Sequence, residues 1–537
     1  MANANNEVVI VKADDWRQPP VPIPEELYAQ TYEADVVIIG AGQSGTAAAR
    51  SAAEHGASVI VIESQGEEKQ RILGGQIGHI NSEFGRSRGV QRYDPIELVR
   101  EIMRRNQYRP NVELIHQYAY NCGDTFDWFI EPLSEEQKSY IQIFFNPPPK
   151  HAPESVNGAK SFCGTAIMPG GDGSDGKTEH GCSMRETVKL NQELAKSMGA
   201  RFFFEMPADQ LLKENGRVVG VAAQSTDGTY VKFLAKKGVL LAAGDFSANP
   251  QMVKDLMPEV DRVCGGQPVR GMGWDGRGIR MGLWAGGRLD PGPIGAEGGN
   301  YVPIGGPFGG MFSVAMNRTG KRFCDECNGR VLGKRQPGSH IYFVWDANWR
   351  ERLEYQAIEH GTADARSPQT MELLSKIDGA RGSGKEGYMV KVPHPPYLPL
   401  IYCGETYEEL AEYMGFEGEA RDNFVATMER YNQFAYQGKD DDFGKEPAML
   451  KPLDHPPYYG CSMEIKRPHM AVTNGGLWID SDQRVLDEEL EPIPGLFATG
   501  NCSGCRFGAE YWPALPGQSI GMCHTLGRIV GRYMAQL

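Results

Sequence analysis

Residues 35–63 read Asp-Val-Val-Ile-Ile-Gly-Ala-Gly-Gln-Ser-Gly-Thr-Ala-Ala-Ala-Arg-Ser-Ala-Ala-Glu-His-Gly-Ala-Ser-Val-Ile-Val-Ile-Glu. An apolar strand, Val36 to Ile39, runs into Gly40-x-Gly42-x-x-Gly45. An alanine-rich helix follows, then a second apolar strand, Val59 to Ile62, closing on Glu63. Gly40 permits the tight turn, Gly42 lets the backbone approach a pyrophosphate, and Gly45 lets helix and strand pack closely. The helix begins near Gln43 and Ser44, and its N-terminus offers unpaired N–H groups and the positive end of its dipole to the phosphates. Glu63, followed by Ser64, stands where a carboxylate accepts ribose hydroxyl hydrogens. Strand, helix, second strand and terminal acid agree. The pattern therefore predicts a nucleotide site rather than a glycine-rich turn in an ordinary βαβ unit.

A chain of 537 residues is too long for one hydrophobic core and predicts two or three domains. Its 40% hydrophobic and 23% charged residues are the proportions of a soluble globular enzyme. The net charge of -14 disfavours a nucleic-acid partner, which requires a basic face. No apolar run approaches the ~20 residues that span a bilayer, so no membrane insertion is expected. Met1 to Thr31 is polar and proline-bearing, with no signal pattern and no twin arginine, and reads as a short extension of a cytoplasmic protein. The 11 cysteines are odd in number and scattered, unlike a secreted disulfide framework, and no Cys-x-x-Cys-His marks an attached haem.

Along the chain, a glycine-rich loop at Leu73–Asn81 contains Gly74, Gly75 and Gln76. Residues near 84–155 are helical in pattern, with an aromatic stretch from Tyr118 to Phe145, and Pro169 to Lys177 reads as a surface connection. A helix is expected over Met184 to Met198, a hairpin turn at Lys213–Gly216, and a strand over Val239 to Ala243 that ends in Gly244. Residues near 255–455 differ in texture, with long polar helices and few βαβ signals. After Pro456 the glycine-rich strand-and-loop style returns. The nucleotide fold thus begins early, pauses and closes late, which places a ligand in the cleft between two domains.

Further motifs follow in order: Leu241-Ala-Ala-Gly244-Asp-Phe246-Ser-Ala-Asn249, then Gly320-Lys-Arg322-Phe323-Cys-Asp-Glu326-Cys-Asn-Gly-Arg330. Later come Thr473-Asn-Gly475-Gly476, Ile493-Pro-Gly495-Leu-Phe-Ala-Thr-Gly500-Asn501 and Pro516-Gly517-Gln518-Ser519-Ile520-Gly521. Together they resemble the FAD-binding superfamily of fumarate reductase and succinate dehydrogenase flavoproteins, to which urocanate reductases and 3-ketosteroid Δ1-dehydrogenases belong. The resemblance covers residues 33–82 and 185–537. It implies an α/β chain: a Rossmann-like FAD-binding domain with an inserted α+β capping domain. The expected extents are an N-terminal extension over 1–30, the FAD-binding domain over 31–254 and 456–537, and the capping or substrate domain over 255–455. FAD is expected with its adenosine half on Gly40, Gly42, Gly45 and Glu63, flanked by Gln43, Ser44 and Ser64. Gly74, Gly75, Gln76, Ala243, Gly244, Asp275, Gly500 and Asn501 are expected to complete the cradle, with Gln518, Ser519 and Ile520 beside the isoalloxazine.

The resemblance also implies hydride exchange between flavin N5 and a substrate carbon. In the fumarate reductase branch an arginine four residues after the motif glutamate donates the proton; here Glu326 plus four is Arg330. A positioned cation stabilises the carbanion left by hydride addition and supplies its proton, although a guanidinium gives up protons only in a dry site. The alternative is a structural ion pair between Arg330 and Glu326 or Asp325. The departures carry information too. Ile304–Met311 is a glycine-rich run where fumarate reductases carry a proton relay. Val472 precedes Thr473 where they carry a histidine, with His469 nearby. Glu510-Tyr511-Trp512-Pro513-Ala514-Leu515-Pro516-Gly517 replaces their carboxylate-clamping arginine segment. A dicarboxylate needs such clamps. Tyr511, Trp512, Thr473 and Gly517 are therefore expected around a flatter, less charged small-molecule substrate, and Tyr511 is a second catalytic candidate after the ketosteroid dehydrogenases. Packing at a domain interface is the alternative for Tyr511 and Trp512.

The pairs Cys324/Cys327 and Cys502/Cys505 are spaced as metal or redox pairs but are read as free buried thiols, and no metal is expected. His79 lies in the early loop, where some relatives attach FAD covalently; the reading favours a surface histidine. Core packing is expected for His524, Tyr342 and Tyr402. These residues suit a reductase of an activated C=C bond, with an unidentified electron donor. A ketosteroid-type dehydrogenase and a non-catalytic electron-transfer flavoprotein are the alternatives.

Overall fold

The computed structural model describes residues 15–170, 178–264, 274–299, 311–327, 330–359, 362–389, 400–464 and 469–537. Three elements set the frame: strand β1, Tyr28–Ile39; helix α1, Gln43–Glu54; and strand β2, Val59–Ile62. β1 pairs in parallel with β2 on one side and with the strand Tyr230–Leu241 on the other. Its last four residues, Val36 to Ile39, are consequently buried on both faces. Strands buried on both faces read as continuous apolar runs, as Val36–Ile39 and Val59–Ile62 do. The sheet has eight strands, and Arg201–Phe203 and Pro492–Ala498 extend its parallel part. The strands Ala208–Glu214 and Arg217–Gln224 add an antiparallel hairpin, closed where Asn215 (φ 48°) and Gly216 (φ 82°) take the left-handed conformation expected of the Lys213–Gly216 turn.

Helix α1 is alanine-rich because it is packed close on every side. The C-terminal helix, Gln518–Gln536, crosses it through Gly527, where a Cβ would lie 2.5 Å from the Ser44 carbonyl oxygen. The expected helix at 184 spans Met184–Ser197 and starts in a capping box made by Ser183 and Glu186. Four helices between residues 83 and 139, the longest Val112–Phe129, account for the helical pattern read there.

A second, five-stranded antiparallel sheet is built from Val314–Asn317, His340–Trp345, Tyr458–Glu464, Leu400–Gly404 and Tyr388–Met389. In the chain it lies between the strands Tyr230–Leu241 and Arg484–Leu486 of the first sheet. Its residues alternate between two cores. Ile341, Phe343 and Trp345 face one, with Trp349 and Ile377; Val314, Met316 and Val344 face the other, with Phe424 and Met428 of the helix Gly418–Gln437. Tyr458–Glu464 belongs to this sheet, so the first strand after Pro456 joins the second unit and the return to the first sheet comes at Arg484. Polar glycine-bearing segments on both sides of residue 456 conceal that change from sequence alone. Among the described residues no helix is long and apolar enough to cross a membrane.

Candidate functional site

Gly42 is the N-cap of α1, in extended conformation at φ -72°, and no side chain caps the helix. The first-turn amides therefore have no intrahelical acceptor. A Cβ on Gly42 would meet no atom within 4 Å, so the backbone borders open space there. Gly45 is the opposite case: a Cβ on it would collide with the Gly40 carbonyl, so helix and turn touch directly. Glu63 is buried at the end of β2. Its Oε2 accepts from the Ala41 amide at 2.9 Å, and its Oε1 accepts from the Gln65 amide at 2.9 Å and the Ser64 hydroxyl at 3.1 Å. The carboxylate is thereby held against the glycine turn. Gln43 donates from Nε2 to the Leu73 carbonyl at 2.8 Å, while its Oε1 is buried without a partner. Gly500 lies against Ser44 so closely that a Cβ would strike the Ser44 hydroxyl.

A second uncapped helix N-terminus lies at the other end. Gly517, at φ 71°, caps the helix Gln518–Gln536 without a side-chain bond. Gln518 accepts from the Ala514 amide at 2.9 Å through Oε1, and its Nε2 is buried without a partner. The Ser519 amide donates to the Tyr511 hydroxyl at 3.4 Å, and Tyr511 is buried edge-on against Phe507. Ile520 touches Gly74, the Gly75 carbonyl accepts from the Met168 amide at 2.7 Å, and the Gly78 amide beyond Gln76 donates to Gly517 at 2.8 Å. The early loop, residues 511–517 and the last helix thus converge. Asn474 is buried with both side-chain atoms unpartnered. Two uncapped helix N-termini, the open space at Gly42 and orphaned amides on Gln43, Gln518 and Asn474 fit a dinucleotide whose phosphates and ring edges satisfy them.

Three buried groups escaped the sequence reading. Asp245, fully buried, accepts from the Thr473 amide at 2.7 Å and from the Ser247 hydroxyl at 3.0 Å, with no cation as partner among the described residues. Burial pushes its carboxyl up to about 7, against the opposing pull of the Thr473 and Ser247 donors. Asp245 thus ties the loop after Gly244 to the Thr473 turn, and the Cys502 thiol donates to the Gly244 carbonyl at 3.1 Å beside it. Arg506, also buried, donates to Asn501 Oδ1 at 3.1 Å. A guanidinium only donates, so the Asn501 amide must turn its NH2 the other way. Arg105, completely buried, donates to Glu101, Glu359, Ser161 and the carbonyls of Lys160 and Pro513. No local motif marks these groups; each is defined by partners far away in sequence.

Arg330 opens a 3-10 turn, Arg330–Arg335, and its side chain lies outside the described residues. Glu326, its suggested structural partner, has two other cations beside it among the described residues. It pairs with Arg322 at 2.9 Å and Lys445 at 3.2 Å, and Arg322 also holds Asp440 at 2.9 Å. Asp275 is half exposed and pairs with Arg280 at 2.9 Å. Ala243 lies next to Gly278, and Gly244 against the Trp274 ring. Trp512 is half-buried with the Arg105 guanidinium 5.4 Å from its ring centre. His469 belongs to the strand His469–Thr473; its side chain, like residues 304–310, lies outside the described residues. His79 is not at the surface: it is buried, stacked on Phe126 at 4.0 Å and bonded to the Ile77 carbonyl and the Ser82 hydroxyl. The loop turns inward there because the chain packs the ring against the helix Val112–Phe129. Cys324, Cys327, Cys502 and Cys505 are free and buried. His524 is buried and stacked on Phe129, and Tyr342 and Tyr402 pack against the second core.

A family model described as FAD binding domain matches residues 35–522. The vinyl phenol reductase of Lactiplantibacillus plantarum is 26% identical over 527 residues, spanning 94% of this chain and 96% of its own. The urocanate reductase of Eggerthella lenta is 24% identical over 541 residues, spanning 98% of this chain and 78% of its own. Among solved structures, the 3-ketosteroid-Δ4-(5α)-dehydrogenase of Rhodococcus jostii in complex with 4-androstene-3,17-dione shares the fold, with a TM-score of 0.67 at 24% identity over 94% of this chain and 97% of that one.

Proposed function

The chain belongs to the FAD binding domain family and is an FAD-dependent oxidoreductase acting on C=C bonds, and from that premise we propose that its substrate is an alkene conjugated to an aromatic ring or a carbonyl rather than a dicarboxylate. One observation carries the reading. In the segment where dicarboxylate reductases place a clamping arginine, buried Tyr511 stands with its hydroxyl on the Ser519 amide, next to half-buried Trp512. Arg105, the guanidinium beside Trp512, is committed to two carboxylates, a hydroxyl and two carbonyls and has no fork left for a substrate carboxylate.

Bound FAD supplies a hydride to one alkene carbon. The chain's own residues do the rest. Gly40, Gly42, Gly45 and the uncapped start of α1 take the pyrophosphate, and Glu63 takes the ribose. Gly517, Gln518 and Ser519, at the positive end of the last helix, would hold the flavin ring. Tyr511 and Trp512 offer flat faces to an aromatic substrate. Arg330 would stabilise the carbon that gains carbanion character and give that carbon its proton, and the resulting neutral guanidine would regain a proton from water. A second reading rests on the Tyr511 hydroxyl itself: a phenol on a helix N-terminus suits a dehydrogenase that polarises or deprotonates a saturated ketone.

The test is anaerobic. The holoenzyme is reduced, then mixed with a panel of alkenes while the yellow colour is followed. Re-oxidation by vinyl arenes, enones or aromatic enoates supports the proposal; fumarate matching the best of them sinks it. Bleaching of oxidised enzyme by saturated ketones selects the dehydrogenase. Arg330→Ala is expected to keep its FAD, still accept electrons, and slow re-oxidation by the alkene by ~10²-fold or more, the scale of a lost general acid. Normal re-oxidation with flavin retained transfers the proton-donating role to Tyr511.

A further inference from the structure

The Glu510–Pro513 segment has no regular secondary structure, and Pro513 has no amide to donate. No backbone ladder fixes its course. Two buried charged clusters do so instead, and both are anchored in the stretch of chain between the two halves of the first sheet. At one end, Lys334 Nζ reaches Glu510 Oε1 at 2.7 Å and Glu259 Oε2 at 3.2 Å, with the lysine side chain 5% exposed. Lys334 belongs to the 3-10 turn that Arg330 opens. At the other end, Glu359 takes the Arg105 fork at 2.8 and 3.0 Å, and Arg105 donates to the Pro513 carbonyl at 2.7 Å. Between the two ends lie Tyr511, buried, and Trp512, with the Arg105 guanidinium on its ring.

We propose that Lys334 and Glu359 are positioning residues for the substrate pocket: they grip both ends of the Glu510–Pro513 segment and set Tyr511 and Trp512 over the start of the last helix. The claim rests on the reading of Tyr511 and Trp512 as pocket residues. Its physical basis is that Lys334 and Arg105, 5% and 0% exposed, are costly to leave short of counter-charge. Lys334 therefore holds the Glu510 carboxylate, and Arg105, paired with Glu359, holds the Pro513 carbonyl, each in one geometry. An irregular segment whose position depends on two such contacts loosens when either is lost, while the sheets stay intact. The segment thereby joins the turn Arg330–Arg335 to the start of the last helix, since Lys334 of that turn holds Glu510 and Arg335 lies 3.9 Å from the same carboxylate.

The experiment uses FAD-loaded full-length enzyme with Glu510→Gln, Glu359→Gln and Lys334→Gln, each of which removes one charge of the two clusters. Hydrogen exchange of a peptide covering residues 508–516 is expected to quicken at least tenfold in each single variant, with exchange in β1, α1 and β2 unchanged. KM for the preferred alkene is expected to rise about tenfold, with reduction of the flavin by dithionite unaltered. Unchanged exchange in 508–516, or faster exchange with KM unmoved, overturns the proposal. Trp512→Ala measured alongside separates the causes: if it too leaves KM unmoved, the pocket assignment itself has failed, and if it raises KM, only the grip has failed.

Discussion

Asp245 is a fully buried carboxyl. It has hydrogen-bond donors but no cation beside it among the described residues, and burial pushes its carboxyl up to about 7. The unfolded chain ionises this group near 3.8, so between about pH 4 and pH 7 the folded state binds the extra proton. Stability contributed by Asp245 is present at the acid end of that window and falls as pH rises, by on the order of 4 kcal/mol for a rise of this size. Asp245→Asn keeps an acceptor for the Thr473 amide and does not titrate. Compared by chemical denaturation, the variant is expected to gain on the wild type as pH goes from 5 to 8; an equal difference at both values rules the account out. Arg506 acts at the same scale in another way, since its one-way hydrogen bonding orients the Asn501 amide.

Helix α1 allows packing to be separated from ligand contact. Gly42 and Gly45 lie three residues apart in one motif, yet only one of them is confined by the protein. Gly45→Ala drives a methyl into the Gly40 carbonyl and is expected to abolish stable folding, seen as loss of soluble protein or of the thermal transition. Gly42→Ala places its methyl in open space at an ordinary φ of -72°, so the apoprotein is expected to melt within about 0.5 kcal/mol of the wild type. The dissociation constant for FAD, read by flavin fluorescence on the apoprotein, is expected to rise at least tenfold. Free FAD at 100 times its dissociation constant stabilises the wild type by about 2.7 kcal/mol, and the variant is expected to show little of this at the same concentration. A variant that binds FAD normally removes the phosphate from Gly42.

At the scale of the whole molecule, the second sheet is pinned by a buried quartet of two cations and two anions: Arg322, Lys445, Glu326 and Asp440. Glu326 is held from both sides, and the charges of Arg322 and Lys445 keep its carboxyl below the ordinary range in spite of burial. Lys445 also donates to the Ser313 carbonyl at 3.0 Å and the Tyr431 hydroxyl at 3.1 Å, so it joins the helix Gly418–Gln437 to the sheet. Glu326→Gln leaves Lys445 buried without its counter-charge and is expected to cost about 3–5 kcal/mol, the usual loss when one partner of a buried pair is removed. The damage should be local: limited proteolysis is expected to open residues 311–464 first, with FAD still bound by the first sheet. Cleavage that starts in the first sheet argues against the quartet as the pin of the second unit.

The nucleotide end of the site was legible in the sequence because its parts are contiguous. Strand, glycine turn, helix and terminal acid lie within residues 35–63, and each carries a local constraint on φ, on size or on charge. The hairpin at Asn215 and Gly216 and the capped helix at Met184 were legible for the same reason. The proposed substrate end is legible in the sequence only as residue types. Tyr511 stands out as a residue type, but its hydroxyl meets Ser519 through a tertiary turn, and the chain's course there is set by Lys334, Glu359 and Arg105, up to 408 residues away. Asp245 and His79 look like loop residues until burial is known. The second sheet's claim on Tyr458–Glu464 was hidden as well, since strand pairing is a choice among partners that local pattern does not make. Short-range order sets the cofactor motif, whereas burial and long-range charge pairing, which exist only once the chain has folded, decide which side chains stand around Tyr511 and Trp512.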